Sequence, residues 1–225
     1  MKLTAIILLA GESKRFGLGS KQLFKLHHKP LFYYSLKAFE ESPLINDIVL
    51  VCSQNNIEQI KKLIKKYQFQ KIENIILGGS TRSESVKNGL FTLENPHESN
   101  GVLIHDSARP LLSHEMITRL ANALKSSDGV IPVIDSYDSL ISVNNDIDYV
   151  DRESIKRVQT PQAFNVLKLQ DVMKNHWDKD ATDEGVLFNK YYKLTFVKGD
   201  EKLIKVTTIN DIKQIKELMK KWNTN

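Results

Sequence analysis

Five short apolar runs in the first 135 residues constrain this chain more than any other feature. They are "TAIILLA" (4–10), "DIVLVCS" (47–53), "IENIIL" (72–77), "GVLIH" (101–105) and "GVIPVI" (129–134). The runs are nearly continuous rather than alternating, which is the pattern of strands covered on both faces. Between them the period changes. After Pro30, a residue suited to a first helical turn, Phe32, Ser35, Leu36 and Phe39 fall on one helical face. Ile57, Ile60, Ile64 and Tyr67 repeat that spacing, as do Val86, Leu90 and Leu93, and then Ile117, Leu120, Ala121 and Leu124. Strand and helix in alternation predict an α/β fold built on a doubly wound, mostly parallel sheet. A length of 225 residues suits one domain, 1–225.

The alternation breaks between about 135 and 160. The stretch "DSYDSLISVNNDIDYVDRESIKRVQT" is polar, with Asn144, Asn145 and Asp146 as a turn signal between two weakly alternating pieces. It predicts a projecting β-arm at about 136–160. The weak apolar face of the arm calls for packing against a second chain, hence a homodimer. Two short helical patterns follow, then strands at "KLTFVKG" (193–199) and "KLIKVT" (202–207). The last helix starts near "TTIND", where Thr208 and Asp211 have the spacing of a capping box with a shorter acid than usual.

Charge and cysteine use narrow the partners. The formal net charge is +5, and the lysines concentrate in "QIKKLIKKY" (59–67) and "IKQIKELMKKW" (212–222). Both read as outward helical faces without interleaved aromatic residues, so they predict solvated surfaces and no nucleic-acid binding. The single cysteine, Cys52, lies inside an apolar run and reads as a buried thiol. The first apolar run, Leu3–Ala10, has eight residues and is followed by Lys14 and Arg15. That is too short for a membrane span and lacks a signal-cleavage pattern, so a strand in a cytoplasmic protein is the expectation.

In open parallel sheets, ligands sit outside the carboxyl ends of the strands. Three segments meet that condition: "LLAGESKRFGLGSKQ" (8–22), "LGGSTRSESVKNGL" (77–90) and "IHDSARP" (104–110). Glycines let backbone N–H groups approach an anion, and Lys14, Arg15 and Lys21 supply neutralising charge. The first segment is neither a Walker A loop nor a GxGxxG fingerprint. No Ser–His pair suggests a covalent nucleophile.

The ordered set A-G-x-x-x-R, K-Q, G-G-x-x-R-x-x-S-V-x-x-G-L, H-D-x-A-R-P, D-R, T-P-Q, T-D and I-K-V-T runs from residue 4 to about 215. It resembles the 2-C-methyl-D-erythritol 4-phosphate cytidylyltransferase family, whose close relatives are the ribitol-5-phosphate cytidylyltransferases. The resemblance implies a Rossmann-like nucleotidyltransferase. Such an enzyme transfers CMP from CTP to methylerythritol phosphate with Mg²⁺, giving CDP-methylerythritol and pyrophosphate for isoprenoid precursor synthesis. It implies Arg15, Lys21 and Lys205 as catalytic cations. Ala10, Gly11, Gly79, Ser80, Arg82, Ser85 and Asp106 would meet the nucleotide, Asp106 also the metal. Arg109, Ser136, Arg152, Thr160, Thr182 and Thr207 would meet the acceptor, with Ser136 and Arg152 delivered by the arm of the other subunit. His105 reads as a structural neighbour. The chain departs from the family pattern at Ser13, Ser80, Ser136, Asp138 and Leu203. Two alternatives stay open: a synthase acting on ribitol phosphate, and a CTP-binding homologue without activity.

Overall fold

A computed structural model describes all residues except 12–14, 18, 95, 98–99, 144–146 and 223–225, with the side chains of 221 and 222 also left out. The first half runs β1 (Leu3–Leu9), a small hairpin of β2 (Lys25–Leu26) and β3 (Lys29–Pro30), α1 (Leu31–Glu41), β4 (Asp47–Cys52), α2 (Ile57–Tyr67), β5 (Ile72–Leu77), α3 (Arg82–Leu90), β6 (Gly101–Asp106), α4 (His114–Ala123) and β7 (Gly129–Asp135). The second half adds β8 (Leu140–Ser142), β9 (Asp148–Val150), β10 (Lys156–Val158), β11 (Gln162–Asn165), α5 (Val166–Asn175), α6 (Glu184–Phe188), β12 (Leu194–Lys198) and α7 (Ile209–Trp222).

β1 lies between β4 and β6, parallel to both, and all seven of its residues are buried. Its side chains alternate between two cores. Leu3, Ala5, Ile7 and Leu9 join Phe32, Leu36, Ile60 and Ile117 on one face, whereas Ile6 and Leu8 join Val86, Leu90, Leu169 and Phe188 on the other. Helices therefore cover both sides, as the continuous apolar runs require. β5 differs from that expectation. It pairs only with β4, its residues are half-buried or exposed, and Leu77 is 44 % exposed, because it forms the sheet edge.

On the far side, Val133 faces Val158 on one edge and Lys198 on the other, and Val130 likewise faces Ala163 and Thr195. β10 and β11 are thus consecutive pieces of one antiparallel line along the same edge of β7, of which β11 alone also pairs with β6, and β12 runs parallel along the other edge of β7. β8 and β9 pair with each other away from the main sheet and form the body of the arm. Its Tyr137, Ile147 and Tyr149 are 71 %, 72 % and 82 % exposed. The turn signal at 144–146 lies outside the described residues.

The expected strand at 202–207 is absent. Leu203 and Val206 are its buried residues, three apart rather than two, and the Val206 N–H donates to the Ala108 carbonyl at 2.8 Å. The segment crosses the loop after β6 instead of extending the sheet. At the start of α7, Asp211 accepts the backbone N–H groups of Thr207 and Thr208, each at 2.7 Å, which is one half of the predicted capping box. Pro30 is the residue before α1 rather than part of its first turn. Among the described residues, no helix is long and apolar enough to cross a membrane.

Candidate active site

A third apolar cluster explains how the two ends of the chain meet. Phe16, Leu26, Leu31, Leu111, Val206, Ile212, Ile215 and Met219 are buried together. Phe16 follows Arg15 and Val206 follows Lys205, so burying the two apolar neighbours brings both cations to one place. Lys21 completes the junction by donating its ammonium to the Val206 carbonyl at 2.8 Å. Burial, followed by the nearby Lys205 charge, lowers the pKa of Lys21 below the usual lysine value.

These groups line an open cleft of about 620 Å³ at the carboxyl ends of β1, β4, β5 and β6. Its wall includes Ala10, Gly11, Arg15, Lys21, Gly79, Ser80, Arg82, Ser85, Asp106, Lys205 and Thr207, all singled out from the sequence. The backbone approaches closely at Gly78, where a Cβ would lie 2.6 Å from the Ala10 Cβ and 2.7 Å from Ser85 Oγ. Glycine is required there. Gly19 has φ of +75°, the left-handed region that glycine enters without a Cβ penalty. α3 starts beside the cleft, with Thr81 Oγ1 accepting the Glu84 N–H at 3.1 Å. The Gly79 N–H donates to Ser85 Oγ at 3.1 Å, and the Ser80 N–H and hydroxyl both donate to Glu84 at 2.6 Å. Ser80 is thereby turned toward α3.

Asp106 is the only carboxylate on the cleft wall among the described residues. One of its oxygens accepts the Lys205 ammonium at 2.6 Å and the other the Arg82 Nε at 3.1 Å. Burial alone would raise its pKa, but Arg82 and Lys205 outweigh that and hold the carboxyl far below the ordinary range. Arg82 reaches inward as well, donating Nη1 to both oxygens of Glu184 at 2.7 and 2.9 Å. Glu184 is 1 % exposed; burial raises its pKa while the Arg82 charge opposes the rise. Charges alternate from the cleft into the interior in the order Lys205, Asp106, Arg82, Glu184. The T-D motif of residues 182–183 stops one residue short of Glu184, which the sequence reading does not include. Its signal was a charged residue amid apolar helix positions, with a partner 102 residues away.

The other predicted residues lie off the cleft wall. Thr160 is buried behind Asp106, accepting the Asp106 N–H at 3.1 Å and sitting 3.3 Å from His105 Nδ1. His105 Nε2 is 3.2 Å from the Arg109 carbonyl, which can only accept, so the proton is on Nε2 and Nδ1 receives the Thr160 hydroxyl. Burial pushes His105 down to about 4, so it is neutral near pH 7 and holds the loop rather than acting as a base. Arg109 directs its fork to the carbonyls of Leu203 (2.9 Å) and Val158 (3.4 Å). Ser136 is buried at the root of the arm, Arg152 is exposed on the arm, and Thr182 is exposed in the loop before α6. Ser53, Gln54 and Asn55 line the cleft without having been predicted, since a polar turn after β4 carries no motif of its own. Lys14 and Ser13 fall outside the described residues.

A doubly wound sheet whose strand ends hold glycine turns, a cluster of cations and one ionised carboxylate has the architecture of a nucleotidyltransferase. Residues 3–221 match the family described as 2-C-methyl-D-erythritol 4-phosphate cytidylyltransferase. A protein of that name from Alkaliphilus metalliredigens is 36 % identical over 219 residues, covering 94 % of this chain and 90 % of its own. A ribitol-5-phosphate cytidylyltransferase from Vibrio parahaemolyticus is 34 % identical over 214 residues, covering 91 % and 90 %. The crystal structure of 4-diphosphocytidyl-2C-methyl-D-erythritol synthase from Anaerococcus prevotii superposes with a TM-score of 0.85 at 26 % identity, covering 97 % of this chain and 96 % of that one. The chain belongs to the 2-C-methyl-D-erythritol 4-phosphate cytidylyltransferase family, and its fold is the Rossmann-like nucleotidyltransferase fold of those enzymes.

Proposed function

We propose that the protein transfers CMP from CTP to 2-C-methyl-D-erythritol 4-phosphate. An acceptor phosphate oxygen forms a bond to the α-phosphorus of CTP, the α–β phosphoanhydride bond breaks, and pyrophosphate leaves. The observation that carries this reading is the meeting of Lys21 and Lys205, from opposite ends of the chain, beside Arg15 in one glycine-walled cleft.

The acceptor phosphate is already ionised, so the reaction needs no covalent nucleophile. Its obstacle is repulsion: two unit charges about 4 Å apart at an effective dielectric of about 20 repel by about 4 kcal/mol. Arg15, Lys21 and Lys205 offset that repulsion and stabilise the charge that grows at phosphorus. The backbone turns at Ala10–Gly11 and Gly78–Ser80 frame the space for the nucleotide. A divalent cation fits the donor set. Asp106 is ionised at the cleft wall, and among the described residues no cluster of three acidic, histidine or cysteine ligands is present. Mg²⁺ would therefore be held chiefly by CTP phosphate oxygens, with Asp106 as its protein ligand, and would supply further charge neutralisation. The exposed Tyr137, Ile147 and Tyr149 of the arm fit a homodimer in which Arg152 and Ser136 serve the partner's acceptor site. A cytoplasmic location accords with substrates of this kind.

Pyrophosphate release, measured with CTP and either methylerythritol phosphate or ribitol phosphate, tests the reading. Turnover with methylerythritol phosphate is the expected result. Turnover with ribitol phosphate alone would reassign the acceptor, and CTP binding without turnover on either would leave a nucleotide-binding homologue.

A further inference from the structure

The loop between α5 and α6, residues 176–183, is fastened at both ends to the first turn of α3. At one end the Trp177 indole N–H donates to Ser83 Oγ at 2.9 Å, and the same hydroxyl donates to the Asp178 carbonyl at 3.0 Å. The Lys87 ammonium, one turn along α3, lies 4.3 Å from the Trp177 ring centroid and limits rotation of the ring. At the other end Glu184 binds Arg82, and Asp183 caps α6 by accepting the Val186 N–H at 3.1 Å. Ser83 is 1 % exposed, so its hydroxyl has no ready water to replace Trp177. Thr182 stands between the two fastenings with its side chain exposed. Thr81, which caps α3, lines the cleft. One helical turn thus connects the nucleotide-facing loop to the loop that presents Thr182.

Phosphate transfer needs no indole, and Trp177 does not line the cleft. We propose that Trp177 is a positioning residue for the alditol phosphate: by tying loop 176–183 to Ser83 and Lys87, it holds Thr182 where the acceptor binds. The inference rests on the activity proposed above and on Thr182 meeting the acceptor.

Steady-state rates of the full chain test it, with acceptor varied at saturating CTP and CTP varied at saturating acceptor. Trp177→Phe deletes the donor but keeps a ring on Lys87. It is expected to raise the acceptor KM about three- to tenfold, the range for one partly buried hydrogen bond. The kcat and the CTP KM should stay within about twofold, as for an interaction that binds ground and transition states alike. Ser83→Ala should raise the acceptor KM independently, and the double variant should be no worse than Ser83→Ala alone, because both changes break one link. An acceptor KM that moves less than about twofold in both single variants overturns the inference. So does a joint fall in kcat, both affinities and Tm, the mark of general loosening. If the unaltered protein turns over neither acceptor, the activity reading has failed and takes this inference with it. If it does turn over and the KM does not move, the inference alone fails.

Discussion

Replacing Arg82 by Met breaks a buried ion pair from one side. Nη1 reaches both oxygens of Glu184 at 2.7 and 2.9 Å, and the Glu184 side chain is 1 % exposed. No other hydrogen bond to that carboxylate is seen among the described residues. Removing one partner of such a pair costs about 3–5 kcal/mol, because the remaining charge stays buried and uncompensated. For a chain of this size each kcal/mol shifts Tm by about 2–4 °C, so a fall of roughly 6–20 °C is expected for Arg82→Met. Asp106 keeps Lys205 at 2.6 Å, which confines the main loss to Glu184. Thermal melts of Arg82→Met, Glu184→Leu and the double variant at pH 7 measure the coupling, and the double variant should recover much of the loss. The pH dependence carries a sign. Without Arg82, the folded-state pKa of Glu184 rises further above its unfolded value. The unfolded chain then ionises first as pH increases, and stability falls across that window. The deficit relative to the unaltered protein should therefore be smaller at pH 5 than at pH 8. A variant that melts within about 2 °C of the parent, or a deficit independent of pH, would refute the assignment of an ionised Arg82–Glu184 pair.

Lys21→Met should reduce kcat for pyrophosphate release by about 10²–10³, the cost of removing one preorganised charge donor, while lowering Tm by only a few degrees. A kcat within about fivefold of the parent would remove Lys21 from the chemistry. If the arm serves the partner's site, sedimentation should show a dimer. Co-refolding equal amounts of Lys21→Met and Arg152→Ala should restore about a quarter of parental activity, since half of the dimers are mixed and each mixed dimer has one intact site. Activity no higher than that of the separate variants would place Arg152 in its own subunit's site or in none.

The parts of the fold visible in the sequence were those governed by local period. The strands β1, β4, β5, β6 and β7 and the helices α1–α4 follow from the apolar runs and the 3.6-residue faces, since a period is carried by residues close together in the chain. Features set by distant contacts were not visible. The β2–β3 hairpin turns at His27 and His28, both at positive φ, where Asn-Gly is the usual signal. The segment 202–207 reads as a strand, yet its two buried residues go to different places: Leu203 joins the main core, whereas Val206 joins the Phe16 cluster and its N–H meets the loop after β6.

The same distinction separates the site residues. Arg15, Lys21, Asp106 and Lys205 were recognisable only as an ordered set of motifs, since a lysine in an irregular segment has no local mark of function. Their convergence has a local cause nonetheless: Phe16 and Val206 are each next in sequence to a cation and share one apolar cluster. Burial of those side chains stabilises the fold by about 1.5–3 kcal/mol each, and it fixes where the adjacent charges emerge. Lys205 and Lys21 are then close enough for the charge of one to lower the pKa of the other, an arrangement unfavourable without an anion between them. Asp106 provides part of the compensation in the free protein, binding Lys205 on one oxygen while Arg82 holds the other. Apolar packing of Phe16 and Val206 fixes Arg15 and Lys205, and the Val206 carbonyl holds Lys21 beside them against the repulsion of the two lysines; in the proposed reaction that repulsion is what a polyphosphate would relieve, which makes the hydrophobic cluster as much a part of the candidate site as the cations are.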